Sequence, residues 1–369
     1  MQVSLLSGET VNRQSIFDRM TNKAVTFGEQ LLQKVLMQKS IVQSNKNLFS
    51  LFGKVLLQDS TTLSLPQSLA EVFPGNSSKG EQKAVARIQT IINVKAMRFI
   101  NFALHAFTQN DQSASSSILA YVKKGDLVIR DLGYFAIATF KKLIEKEVYF
   151  LSRLKYGVKL YDKKGNEISL KNLMQRKKII DQWVHIGKDK KVWIRLIMIP
   201  LPQKQAAEKR RKARQDRDQR LNHSKEYYQW MGYNVFITTV RDDILGTTEV
   251  AQVYKVRWQI EIIFKSWKSG FHVQSLLHEQ CTNEYRAKVS IYLILVFLCL
   301  FMQKIYVHYK EDIEKKTDKL ISLIKFISFI STNFIEFFMF SITHIKKQIA
   351  LHCSYDRVNM ADLLQTFKN

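Results

Sequence analysis

Between residues 254 and 268 the chain places a tyrosine, an arginine, a glutamate and a lysine at fixed intervals: Tyr254, Arg257, Glu261 and Lys268. The segment from Thr248 to Ser269 has helical periodicity, with Gly270 as its natural stop. In one continuous helix of about 100° per residue, those four side chains share a sector of about 60°, with Lys265 beside it. Val256, Ile260, Ile263, Phe264 and Trp267 fall on a separate apolar stripe that anchors the helix. One carboxylate is thereby held among cations and a phenol. Such a row of hydrogen-bonding and cationic groups around a carboxylate can serve a chemical site; it also suits an exposed helix with an Arg257–Glu261 ion pair.

Two more carboxylates stand at the ends of short apolar runs. Lys54 to Gln58 leads into Asp59, and Asp126 to Arg130 leads into Asp131, with Gly133 allowing the turn. The pattern predicts a helix over 13–45, then strands ending at Asp59, around Ile88–Met97 and over Phe99–Phe107. A short helix over Ser113–Val122, a strand ending at Asp131, a helix over Phe135–Glu147 and a strand over Val148–Leu154 follow. Asp126 and Asp111 are rivals for the strand-end role, but Asp131 has the better position. Three carboxylates, two on strand ends and one on a packed helix, can converge on one pocket. Clustering them implies a cation, because unpaired buried carboxylates are costly. Three hard oxygen ligands suit Mg²⁺ or Mn²⁺, and two such ions suit in-line displacement at a phosphodiester.

The rest of the chain narrows the partners. Lys plus Arg number 57 and Asp plus Glu 32, a net charge of +25, so a polyanion is the expected partner: nucleic acid or an anionic membrane. With 46% hydrophobic residues the chain is a folding one, and 4 Pro and 13 Gly argue against turn-dense all-β architectures. Cys281, Cys299 and Cys353 form no CxxC pair, which speaks against a disulfide framework or a thiolate zinc site. His105, His185, His223 and His272 lack ligand spacing. No signal-peptide pattern is seen at the amino terminus. The apolar run Val289–Met302 is short for a bilayer and is expected as a core or dimer-interface helix, a membrane anchor being the alternative. Leu320–Phe340 has an amphipathic look. Residues 156–235 are β-rich, with strands over Val158–Tyr161, Lys191–Pro200 and Tyr233–Val240. Within them a polar helix, Gln203–Arg220, carries eight Lys/Arg against three Asp/Glu, suited to solvent or to a DNA backbone. Asp162–Asn166 reads as a turn.

The Tyr254–Arg257–Glu261–Lys268 spacing resembles the YREK signature of DDE transposases of the insertion-sequence-four family. The resemblance covers roughly residues 45–275, with Asp59 in LLQDSTTLSL and Asp131 in VIRDLGYF similar to the family's two aspartates. It implies an α/β fold: an RNase H-like mixed sheet flanked by helices, interrupted by a β-rich insertion between Asp131 and Glu261. The implied organisation is a helical amino-terminal remnant of a DNA-binding domain (1–48), the first part of the catalytic core (49–155) and the insertion with its basic helix (156–240). The end of the core (241–284) and a helical, dimerising region (285–369) complete it. With 58 residues ahead of Asp59, the end-recognition domain is expected to be short.

By the same resemblance, Asp59, Asp131 and Glu261 hold two Mg²⁺ or Mn²⁺ ions, and Tyr254, Arg257 and Lys268 contact phosphates. From their place among the chain's basic charges, Lys265 beside that sector and Arg210 and Arg211 of the polar helix are added as DNA-binding candidates. The expected activity is metal-dependent cleavage at transposon ends and strand transfer into target DNA. The partners are double-stranded DNA and a second copy of the chain, with no membrane, in a bacterial cytoplasm at the nucleoid. The alternative is a catalytically silent, truncated DNA-binding descendant. Some relatives hold a flipped base with a Trp of the insertion; Gly232–Phe236 has none, which leaves Tyr233 or Trp230 to stack a base or to pack in the core.

Overall fold

The computed structural model describes residues 12–38, 49–78, 81–189, 192–215, 223–278, 283–317, 319–333, 339 and 341–356. The ends of the helices expected over 13–45 and Gln203–Arg220, part of Leu320–Phe340, and Cys281 lie outside the described residues. The principal strands are β1 (Val55–Leu65), β2 (Pro74–Ser78), β3 (Glu81–Asn93), β4 (Arg98–Ala106), β5 (Leu127–Arg130), β6 (Tyr149–Arg153), β7 (Leu160–Tyr161), β8 (Ile180–Ile186), β9 (Val192–Pro200) and β10 (Tyr233–Thr238). The chain divides into two units. The first comprises Asn45–Asp59 and Asn110–Arg257; the second comprises Met1–Ser44, Ser60–Gln109 and Trp258–Asn369.

In the first unit the opening residues of β1 pair in parallel with β5, and β5 pairs in parallel with β6. Val55–Leu57 and Leu127–Ile129 are wholly buried, which suits continuous apolar runs in strands covered on both faces. The helix Ile137–Glu145 joins β5 to β6 and stacks Phe140 on Phe150 with ring centroids 4.4 Å apart. Asp126 lies at the start of β5, the end away from Asp131. Its carboxylate accepts from the backbone N–H of Lys54 (2.7 Å) and of Lys123 (2.8 Å), and pairs with Lys54 Nζ at 3.4 Å. Gly53 makes room for it, since a Cβ there would stand 2.7 Å from Asp126 Oδ1. β10 lies antiparallel on β6, followed by β9, β8 and β7. The strands of the insertion therefore continue the sheet of β5 and β6. Asn166 N–H donates to Asp162 Oδ1 (2.8 Å) in the expected turn, with Gly165 at φ 87°.

The second unit is built on the hairpin of β3 and β4, registered from Ala86–Ala106 to Asn93–Arg98, with β2 on β3. The strand expected to reach Met97 ends at Asn93, because Val94–Met97 form the hairpin turn with Met97 at φ 44°. β1 likewise departs from expectation. It does not end at Asp59 but runs on to Leu65, burying Thr61, Leu63 and Leu65 in period-two alternation. Asp59 is thus inside a strand, at the residue where β1 passes from one unit to the other. The short helix expected over Ser113–Val122 is a 3-10 helix over Ser113–Ala120.

Helices fill the remainder of the second unit. Asn22–Met37 packs against Glu284–Leu300, where Gly28 lets Tyr292 approach: a Cβ on Gly28 would lie 3.1 Å from Tyr292 Cβ. Trp258–Ser269 buries Ile260, Ile263, Phe264 and Trp267, and Trp267 sits 5.6 Å from Phe99 between ring centroids. The apolar run Val289–Met302 is longer in the fold than in the sequence pattern. It belongs to a 33-residue helical run, Glu284–Lys316, with a π-turn at Phe301–Tyr306. The extension past Met302 is stabilised by i,i+4 pairs such as Lys310–Glu314 and Asp312–Lys316. By length and composition this run suffices to cross a membrane, and 56% of its most apolar stretch is buried inside the protein. Cys299 and Cys353 are buried thiols.

Candidate active site

The parallel register sets the geometry of the first two acids. Gln58 of β1 is the partner of Arg130 of β5, so Asp59 and Asp131 are each the next residue after the same rung. Behind that rung Arg130 is fully buried and donates through Nη2 to Gln58 Oε1 at 2.7 Å. The two carboxylates meet at one guanidinium: Arg257 Nη1 lies 3.9 Å from Asp59 Oδ2, and Arg257 Nε lies 3.5 Å from Asp131 Oδ1.

Arg257 reaches them from a break in the chain. The helix expected as one piece over Thr248–Ser269 is two helices, Thr247–Lys255 and Trp258–Ser269, with Val256 and Arg257 between them. The N–H groups of Val256 and Arg257 donate to the carbonyls three residues back, Val253 and Tyr254, which tightens the end of the first helix. The single-helix sector expected for the four residues therefore does not describe them. Tyr254 leaves the polar face altogether. Its ring is buried against Phe236, 5.1 Å between centroids, and its hydroxyl lies 3.5 Å from Asp131 Oδ1. Burial, then the Asp131 charge, pushes the phenol up to about 12, so it remains a donor across the neutral range. The guanidiniums of Arg257 and Arg153 stand 5.8 Å and 5.7 Å from the Tyr254 ring centroid.

The first unit thus brings together Asp59, Asp131, Tyr254 and Arg257. Glu261 and Lys268 belong to the second unit, on the helix that begins directly after Arg257. Glu261 is half-buried in its first turn, Lys265 is exposed, and burial holds the Lys268 amine below the usual lysine range. Asp126, the rival acid, is committed to the strand ends by its two backbone donors.

The sequence matches the transposase DDE domain family over residues 50–302. The chain belongs to the DDE transposase family. Among its relatives are the transposase for insertion sequence element IS231E of Bacillus thuringiensis subsp. finitimus and that of IS1151 of Clostridium perfringens. The first is 27% identical, over 88% of this chain and 73% of the relative; the second is 25% identical, over 74% and 62%. A solved piggyBac transposase synaptic complex with hairpin DNA aligns over 89% of this chain and 76% of its own, with 9% identity and a TM-score of 0.40. The fold of this DDE transposase is α/β: in the first unit β1, β5 and β6 run parallel, in the second β3 and β4 pair antiparallel, and each unit carries helices.

The remaining sequence candidates divide. Arg210 is tied down, its Nε donating to the Tyr228 carbonyl at 2.8 Å, while Arg211 is exposed. Trp230 is buried beside Tyr156, and Tyr233 donates its hydroxyl to the Met174 carbonyl at 2.6 Å, so both are engaged in packing within the transposase. Arg153 carries no signal in the sequence, because only the pairing of β6 with β10 brings this strand-end residue beside Tyr254.

Among the described residues no three His, Cys, Asp or Glu side chains stand within reach of one ion. The Asp59–Asp131 pair nonetheless has the donor chemistry for a hard divalent cation: carboxylate oxygens only, gathered where a positive guanidinium already sits. The pair fits the metal that the family uses.

Proposed function

We propose that this transposase cleaves DNA at the ends of its element and transfers the freed 3′-hydroxyl into target DNA. Asp59 and Asp131, with Glu261 four residues beyond Arg257, are the carboxylates that would hold Mg²⁺ or Mn²⁺. Bound there, two ions would activate the attacking oxygen and stabilise the leaving one in both steps. Arg257 offers forked donors to a phosphate and Lys268 a point charge. Tyr254 holds its proton near Asp131 and supplies a neutral donor. Lys265, Arg210 and Arg211 would contact the backbone further out. Pairing of two DNA ends calls for a second copy of the chain, with the helical region 285–369 as its contact, in a bacterial cytoplasm at the nucleoid.

The observation that supports this reading is the matched register of Asp59 and Asp131 on one guanidinium. A plasmid carrying the element's terminal repeats, incubated with the full chain and Mg²⁺ or Mn²⁺, tests it. Asp59→Asn, Asp131→Asn and Glu261→Gln are each expected to abolish strand cleavage while duplex binding persists. Cleavage retained in any of the three would remove that residue from the metal set.

A further inference from the structure

A second group of cations lies beside Tyr254, outside the Tyr254–Lys268 motif. Arg153 ends β6, Asn234 lies in β10, and Lys209 projects from the helix Gln203–Arg214. Lys209 Nζ donates to Asn234 Oδ1 at 2.9 Å, and Arg153 Nη2 reaches the same oxygen at 3.4 Å. One neutral amide oxygen therefore serves two cations. Among the described residues no carboxylate is within ion-pair distance of either, and Arg153 Nε is buried without an acceptor. Burial first, and then the charge of Arg153, brings the Lys209 amine down to about 8. Two partly desolvated like charges around a single acceptor are unfavourable alone. An anion would offset their repulsion and accept from the donors left over, the Asn234 amide N–H₂ included.

We propose that Arg153, Lys209 and Asn234 form a phosphate subsite that holds a DNA backbone phosphodiester beside Tyr254. This rests on the reading of the chain as a DNA-cleaving transposase. Arg153 supplies a planar fork and Lys209 a mobile point charge, a pairing suited to the two non-bridging oxygens of a diester. Because the Arg153 guanidinium lies against the Tyr254 ring, a phosphate held here is one aromatic ring away from Asp131. The subsite positions the strand without contributing a metal ligand.

The test is duplex DNA binding by the full chain, read by fluorescence anisotropy across a salt series without divalent ions. Lys209→Met is expected to shallow the slope of log affinity against log salt by about 0.9, the value for one phosphate contact. Lys209→Arg should keep the wild-type slope. Lys212→Met, on the same helix but exposed and paired with Glu208, should change it less. An unchanged slope in Lys209→Met, or an equal loss in Lys212→Met, would overturn the proposal. So would inorganic phosphate raising the Tm of wild type but not of Lys209→Met while both bind DNA alike, since the site would then take a free anion. Binding is measured without cleavage, so failure of the carboxylate assignment shows only in the cleavage assay.

Discussion

Tyr254 is a donor that neutral pH does not titrate, and this separates its two parts experimentally. Tyr254→Phe keeps the ring against Phe236 and removes only the hydroxyl near Asp131. Urea unfolding is expected to change by no more than about 1 kcal/mol, while single-turnover cleavage falls about tenfold, the worth of one hydrogen bond. An unchanged cleavage rate would take the hydroxyl out of the site. Lys209 gives a pH signature of opposite kind. Its pKa is lowered in the fold to about 8 from 10.5, so between those values the unfolded chain binds more protons than the native one. Stability attributable to Lys209 therefore rises with pH across that window. Comparing urea midpoints of wild type and Lys209→Met near both ends of it should show the wild type gaining on the variant. Parallel curves would mean that Lys209 is not desolvated.

At the scale of elements, the β1–β5 pair has an acid at each end, and the two have different work. Asp126 satisfies two backbone donors and one ammonium at the start of β5, whereas Asp131 follows its end. Asp126→Ala should cost about 2 kcal/mol or more in urea unfolding, since it leaves buried donors unpaired. Asp131→Asn should leave stability nearly unchanged while cleavage is lost. The reverse pattern would exchange the two assignments. Both strands are legible in the sequence, because runs such as Val55–Leu57 and Leu127–Ile129 are apolar without alternation. The choice of Asp131 over Asp126 follows from its place after the run. The continuation of β1 past Asp59 is less visible, since Ser60–Leu65 is short, hydroxyl-rich and alternates only weakly. The break at Val256–Arg257 leaves no trace in the pattern: apolar spacing carries on across it from Val253 to Ile260, and no Gly or Pro marks it. Tyr254 reads as a polar-face residue for that reason, although Phe236 and Arg153, both distant in sequence, decide its burial.

For the whole molecule, the net charge of +25 divides into roles. Arg130 and Arg210 are engaged with Gln58 and the Tyr228 carbonyl, Arg257 holds two acids, and Arg211, Lys212 and Lys265 face solvent. The long helical run also has a role in the fold, burying Leu295, Leu298, Cys299 and Met302. The protein is therefore expected to be released from cells without detergent; recovery only with detergent would show the run to be an anchor. The division into units adds a consequence for synthesis. Most of the first unit, Asn110–Arg257, is one uninterrupted stretch, while the second is assembled from segments before and after it. The β3–β4 hairpin leaves the ribosome early, yet the Trp267 that packs on its Phe99 and Phe102 comes more than 150 residues later. A nascent chain arrested before Trp258 would expose that hairpin's apolar face, so incomplete copies should be far more prone to chaperone capture and proteolysis than finished ones.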